Sequence, residues 1–239
     1  MVRMWERALR RSGLPVGWSE GFSPRLLVSF GLALPTGAES LAEYLDVAMV
    51  NEVPADLVDA KGPAQFGKLG ASLTALLPDG LDVQAVVPLQ HGAGSLQEEV
   101  SSCTWKLEVF GLGAAELSSR VERLLAAPSV PTERVRKGRA VRDDLRPGVL
   151  GLSLGAPPDD QRPTAASPRD AVWLDVELAT RPRGVRPREL LAGLGPDVRL
   201  SRARRVHQWI ERDGARWEPL GTRGEVAGAD ATPAPRRAS

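Results

Sequence analysis

Cysteine is almost missing from this chain: Cys103 is the only one in 239 residues. A single thiol excludes an internal disulfide, a thiolate metal cage and an iron–sulfur cluster held by the chain's own ligands. Histidine is nearly as scarce, and His91 and His207 are too few for a zinc site or a histidine relay. No metal and no cofactor is therefore expected. Aromatic residues make up only 5 % of the chain, with one tyrosine. No apolar run approaches the roughly 20 residues needed to cross a bilayer. The first residues, Met1 to Arg7, are charged and helical in pattern, unlike a secretory leader. A cytoplasmic protein with no membrane contact is the expectation. Net charge is small as well, since 31 basic residues face 30 acidic ones.

What the chain does have is length for two domains, turn-forming residues (24 Gly and 20 Pro) and unevenly distributed charge. Residues 1–25 carry five Arg against two Glu, and residues 39–99 carry ten acids against Lys61 and Lys68. Residues 181–216 return ten Arg against four acids. Of the 31 basic residues 27 are Arg, the side chain suited to bidentate contacts with phosphate or carboxylate. GC-rich coding also raises Arg content, so the basic regions alone only point toward nucleic acid.

Met1 to Arg11 reads as a helix, with Met1, Trp5, Ala8 and Leu9 on one stripe and Arg3, Arg7 and Arg10 opposite. Ser12-Gly13 and Pro15 stop it. Strands are expected at Arg25–Phe30, Tyr44–Val50 and Leu81–Val87, with a helix opened by Pro54 that is interrupted at Lys61-Gly62-Pro63 and runs on to Leu77. In the second half the spacing predicts a strand at Thr104–Phe110, a helix at Ala114–Ala126 and basic extended chain over Val130–Leu154. A strand at Ala171–Leu178, a helix from Pro187 and a last strand at Leu200–Glu211 follow. Strand-helix-strand-strand-helix-strand is the ferredoxin-like pattern.

Tyr44-Leu45-Asp46-Val47 matches Trp173-Leu174-Asp175-Val176, and each string precedes a proline-opened helix, which suggests duplication. The fold class expected is α+β, with two tandem ferredoxin-like (βαββαβ) domains, the first lacking its N-terminal strand. Residues 1–91 form the first domain, 92–101 a linker and 102–220 the second domain. A disordered hairpin loop is expected at 155–169 and a disordered tail at 221–239.

Several residue patterns imitate active sites. Gly17-Trp18-Ser19-Glu20-Gly21 spells a nucleophile elbow, but that turn needs a strand before it and a helix after it. Here a helix precedes and Pro24 follows, so no catalytic serine is assigned. His91-Gly92-Ala93-Gly94 sits in the linker. Asp46 and Asp175 occupy equivalent strand positions and are read as structural. His207 is read as a surface strand residue and Cys103 as an ordinary core thiol. No residue is assigned a catalytic role.

The basic residues carry the functional reading. Arg134, Arg136, Lys137 and Arg146 crowd one extended segment, and Arg204 lies in the last strand. Arg7 and Arg10 face outward from the first helix. The turn Gly21-Phe22-Ser23-Pro24-Arg25 presents Ser23 and Arg25 as an anion grip. A sheet face carrying Arg and aromatics is how ferredoxin-like RNA-binding modules hold phosphate and stack bases.

Several longer stretches resemble one family. They are Glu6-Arg7-Ala8-Leu9-Arg10-Arg11-Ser12-Gly13-Leu14-Pro15, Ser19 to Arg25, Ser29 to Ser40 and Glu43 to Val47. Glu133 to Gly138 and Asp144 to Pro147 extend the match in the second half. These strings resemble the radical SAM-linked protein family, over a span from Met1 to about Asp213. Its members have no known biochemical function and are encoded beside, or fused to, cobalamin-binding-type radical SAM proteins, often near a ribonuclease of the E/G type. Members begin with a strand and a Ser/Gly-His-Leu-Asp stretch that opens the first helix. This chain starts inside that helix, and Lys61–Ser72 looks like an insertion. The resemblance therefore implies a start codon placed too far downstream, at an internal Met. It also implies a radical SAM protein as partner. Together with the Arg-rich face, it gives a non-catalytic accessory module that binds or presents RNA. The alternative is a metal-independent endoribonuclease of the tandem ferredoxin-like type; such enzymes usually use a general base, often His, and the absence of the family's N-terminal His weakens that option for this chain.

Overall fold

The computed structural model describes residues 2–59, 66–89, 92–136, 138–158, 168 and 170–223. The chain divides into two units: the first is built mainly from Met1–Gly31 and Tyr44–Gln97, the second mainly from Leu32–Glu43 and Glu98–Pro219. Both mix helix and strand, as the α+β expectation requires.

In the first unit, α1 (Val2–Arg11) buries Ala8 and Leu9 and leaves Arg3, Arg7, Arg10 and Arg11 exposed. It stops where Gly13 turns left-handed (φ +71°) and the Ser12 hydroxyl donates to the Leu9 carbonyl at 2.8 Å. β1 (Val28–Phe30) and β3 (Leu45–Val47) pair antiparallel, Val28 opposite Val47 and Phe30 opposite Leu45. β2 (Glu39–Ser40), between them in sequence, belongs to the other unit. After a 3₁₀ turn at Ala55–Leu57 comes α2 (Gly67–Thr74). Asp59 caps α2 from outside: its Oδ2 accepts the Lys68 N–H at 3.0 Å, and its Oδ1 lies 3.1 Å from the Lys68 ammonium. The Lys68 amide and ammonium together hold the Asp59 carboxyl below its ordinary pKa. Leu9, Val16, Leu26, Leu69 and Leu73 form the core, with Trp5, Val28, Val47, Val83 and Val86 half-buried against it.

The expected strand at Leu81–Val87 does not form. A strand needs a ladder partner, and this segment is held otherwise: the Val83 N–H donates to the Thr74 hydroxyl at 2.9 Å. The helix expected to run on to Leu77 ends at Thr74, and part of the Lys61–Ser72 insertion lies outside the described residues.

The second unit is organised by a long sheet. α3 (Leu96–Glu99), where a linker was expected, runs directly into β4 (Val100–Phe110), followed by α4 (Ala114–Ala126). Then come the hairpin β5 (Pro131–Arg136) and β6 (Arg139–Asp144), β7 (Val149–Gly155), β8 (Val172–Ala179), α5 (Pro187–Leu194), β9 (Arg199–Arg212) and β10 (Ala215–Trp217). The helix α6 (Pro219–Arg223) covers the start of the segment expected as a disordered tail; the rest of that tail, and most of the 155–169 loop, lie outside the described residues. Sheet order is β10-β9-β4-β8-β7, all antiparallel, and β2 pairs parallel with β9 at Glu39↔Arg204 and Ser40↔Arg205.

Alternation along β4 gives the sheet its two faces. Cys103, Trp105, Leu107 and Val109 are buried, as are Leu174, Val176 and Leu178 of β8. Leu117, Val121 and Leu124 of α4 and Leu190, Leu191 and Leu194 of α5 complete this core. Each fully buried leucine contributes roughly 2–3 kcal/mol. Pro187 opens α5 at a position with no helical partner for its missing N–H. Gly195, with φ +133°, ends it. Ser102, Thr104, Lys106 and Glu108 alternate with the core residues and make the polar face.

Candidate functional site

The first candidate lies in the first unit, between α1 and β1. Val16 to Leu26 folds back as a narrow hairpin, closed by a bridge between Trp18 and Leu26. Its neck is tied three times. The Ser19 N–H donates to the Arg25 carbonyl at 2.8 Å, the Arg25 N–H to the Ser19 hydroxyl at 3.0 Å, and the Leu27 N–H to the Gly17 carbonyl at 2.8 Å. Gly21 takes φ +115°, which any other residue would resist, and Pro24 stiffens the returning arm. The result is a tied loop whose tip is an aromatic ring: Phe22 is completely exposed, at 110 % of its reference area. Ser23, next to it in the chain, and Arg25, three residues on, are exposed. At the root of the hairpin the Arg10 guanidinium lies 4.7 Å from the centroid of the Trp18 ring, which is itself 45 % exposed. Four predicted residues thus fall on this one unit, Arg7 and Arg10 exposed on α1, Ser23 and Arg25 on the hairpin. The aromatics were missed as site residues. A phenylalanine between a left-handed glycine and a proline was the available signal.

The second candidate is the β5–β6 hairpin. Its register puts Arg134 across from Val141 and Arg136 across from Arg139, around a turn whose Gly138 has φ +75°. Arg139 is exposed, and Arg142 is exposed with a 3.2 Å ion pair to Glu133. Lys137 lies outside the described residues. Asp144 fixes the base of the hairpin, its Oδ1 accepting the N–H groups of Val130 (2.8 Å) and Arg146 (2.9 Å). Those two amides hold the Asp144 carboxyl below its ordinary pKa.

Arg146 is a different kind of residue. Its Nε donates to the Leu125 carbonyl at the end of α4 (3.1 Å) and its Nη1 to the Val149 carbonyl (3.0 Å). That cation closes the last turn of a helix, where unpaired carbonyls need donors. Its guanidinium is taken up inside the fold.

The sheet arginines are likewise engaged. Arg204 forks Glu39 through Nε (3.0 Å) and Nη2 (2.9 Å). Arg202 takes both oxygens of Glu108 at 2.8 and 3.1 Å, and the carboxylate raises the Arg202 pKa further. Arg205 is buried against Glu43 and the Leu32 carbonyl. Lys106 pairs with Asp175 at 2.5 Å and Arg216 with Glu177 at 2.8 Å. The polar face of this sheet is an interleaved lattice of opposite charges, with Arg202 over Trp173 and Arg216 over Trp209.

The other singled-out residues behave as structure. Ser19 spends its hydroxyl on the hairpin neck, and His91 lies outside the described residues. Asp46 and Asp175 sit in different units. His207 pairs with Glu218 and stacks near Trp209. Burial pushes the Cys103 thiol up to about 11, the opposite of what a nucleophile needs. Among the described residues, no group of three or more His, Cys, Asp or Glu is arranged to hold a metal ion, and no helix is long and apolar enough to cross a membrane.

Residues 1–187 match the model of a protein family described as an uncharacterized protein conserved in bacteria, DUF2344. No curated protein matches the chain.

Proposed function

We propose that this chain, which belongs to that family of uncharacterized bacterial proteins, is a non-catalytic accessory module that binds RNA for a radical SAM enzyme. One observation carries the RNA reading: the completely exposed Phe22 at the end of a tied hairpin, with the exposed Arg25 three residues on and the Arg10–Trp18 stack at its root. Leaving a phenyl ring in water forgoes roughly 1.5–3 kcal/mol of burial. Stacking a base on an aromatic side chain gains about 1–3 kcal/mol, and guanidinium groups supply the phosphate contacts that such stacking accompanies. The sheet face first expected to do this is an internally neutralised surface, so the binding residues are placed on the hairpins instead.

The partner rests on the sequence resemblance to radical SAM-linked proteins. The architectural reading also goes beyond the elements themselves. In the second unit the succession β4-α4-β7-β8-α5-β9, with sheet order β9-β4-β8-β7, supports a ferredoxin-like domain. In the first, α1-β1-β3-α2 supports a partial copy of the same plan.

Fluorescence anisotropy with labelled single-stranded RNA in EDTA tests the binding. The expected result is binding that weakens with salt, and a loss of about 5- to 150-fold in Phe22→Ala, the range that 1–3 kcal/mol implies. Absence of binding at low salt refutes the RNA reading. Cleavage in EDTA replaces it with the endoribonuclease. Co-migration with a purified radical SAM protein in size-exclusion chromatography tests the partnership, and separate elution refutes it.

A further inference from the structure

The two units share more than one short string. β1 and β3 pair Val28↔Val47, Ser29↔Asp46 and Phe30↔Leu45, and the Gly31 N–H donates to the Tyr44 carbonyl. β7 and β8 pair Leu152↔Val176, Ser153↔Asp175, Leu154↔Leu174 and Gly155↔Trp173. The pattern aliphatic-Ser-apolar-Gly against aromatic-Leu-Asp-Val therefore recurs in the same register, residue for residue. A slip of one position would turn every side chain to the other face, so shared register is much stronger than shared composition.

This alignment equates what lies before each pair. In the first unit a helix, α1, is followed by the Val16–Leu26 hairpin and then β1. In the second a helix, α4, is followed by the β5–β6 hairpin and then β7. Each copy thus carries a protruding hairpin at the same place in its plan, yet the tips differ in chemistry. One ends in Phe22. The other brings Arg136 and Arg139 directly opposite each other beside Gly138, with Arg134 and Arg142 further down. Arg139 is exposed on β6, and the backbone register sets a second basic residue level with it across the hairpin.

We propose that the β5–β6 hairpin is the phosphate-holding counterpart of the Phe22 hairpin, so that one copy of the repeat stacks a base and the other grips the backbone of the same RNA class. The inference rests on the RNA reading above. The test is the salt dependence of RNA affinity for wild type, Phe22→Ala and Arg136→Gln/Arg139→Gln in the full chain. The slope of log K against log salt reports how many phosphates are neutralised, about 0.7 per contact on a single strand. Phe22→Ala is expected to weaken binding with the slope unchanged. Arg136→Gln/Arg139→Gln is expected to lower the slope by about 1–1.5, the value for two lost phosphate contacts. If wild type binds RNA and the double variant keeps its slope, the assignment of this hairpin is wrong while the RNA reading stands. If wild type binds no RNA at low salt, the RNA reading itself fails.

Discussion

Arg204 and Arg205 are neighbours on one strand, yet replacing each with methionine should have very different consequences. The Arg205 side chain is 2 % exposed and its partner Glu43 30 %; for Arg204 and Glu39 the values are 11 % and 49 %. The Arg205 Nε donates to Glu43 at 3.2 Å and its Nη2 to the Leu32 carbonyl at 2.8 Å, with the guanidinium 5.6 Å from the Trp105 ring centroid. Removing it takes the counter-charge from a carboxylate that is about one-third exposed and leaves a carbonyl without that donor. Breaking a buried pair costs about 3–5 kcal/mol, and the partial hydration still open to Glu43 places this case near 3. Arg204→Met breaks a pair whose carboxylate faces water, worth at most about 1 kcal/mol, and methionine keeps part of the stem's packing. For a chain of this size the Arg205 loss corresponds to about 6–12 °C in melting temperature. Urea denaturation measures both variants. Hydrogen exchange at the Leu41 amide, which donates to the Arg205 carbonyl at 2.9 Å, reports whether the 32–43 segment loosens. Arg205→Met/Glu43→Met should recover most of the loss, since an apolar pair replaces the ionic one. Variants at 204 and 205 that agree within about 1 kcal/mol would refute this account of the pair.

Three further outcomes follow from the geometry. Cys103, buried and held up to about 11, should resist thiol reagents at pH 8 in the folded protein and react at once in urea; fast labelling without denaturant would place it at the surface. The Asp144 carboxyl is lowered in the folded state, so its contribution is complete above the ordinary carboxylate pKa of about 3.9 and is lost as pH falls through the lowered value. The stability gap between wild type and Asp144→Asn should accordingly be constant from pH 7 to 5 and close on further acidification, and a gap indifferent to pH contradicts the charge's role. Gly111, at φ +102°, has room for no side chain, because a Cβ there would stand 2.2 Å from the Asp197 carbonyl oxygen. Gly111→Ala should cost more than about 1 kcal/mol, visible as a lower urea midpoint with an unchanged slope.

The sequence was most readable where an element carries its own periodicity. The predicted helix at Ala114–Ala126 coincides with α4, because its apolar stripe and the proline beyond it are both local. The strands β4, β8 and β9 were all expected close to where they form, β4 through its alternation, although it begins earlier than that pattern suggested. The 32–43 segment was unreadable for the opposite reason. Its two ladder partners lie some 165 residues away, and two residues of parallel pairing leave no pattern. For the candidate site, Arg7, Arg10, Ser23 and Arg25 were singled out by charge and turn chemistry, and all four are exposed in the fold. The same method could not tell Arg146, which closes a helix end, from a cation facing solvent. Nor could it see that Arg204 already has a carboxylate. Charge is written in the sequence; what has neutralised it is a property of the fold.

The strip Leu32–Glu43 has an implication for how these halves can be divided. It is encoded between the two main segments of the first unit yet satisfies Arg205 and Gln208 of the second, the Gln208 amide donating to the Ala42 carbonyl. A gene cut at residue 97 would therefore release a downstream fragment whose sheet has left part of itself upstream. The two halves cannot be separated at that point without dividing the second unit between two fragments.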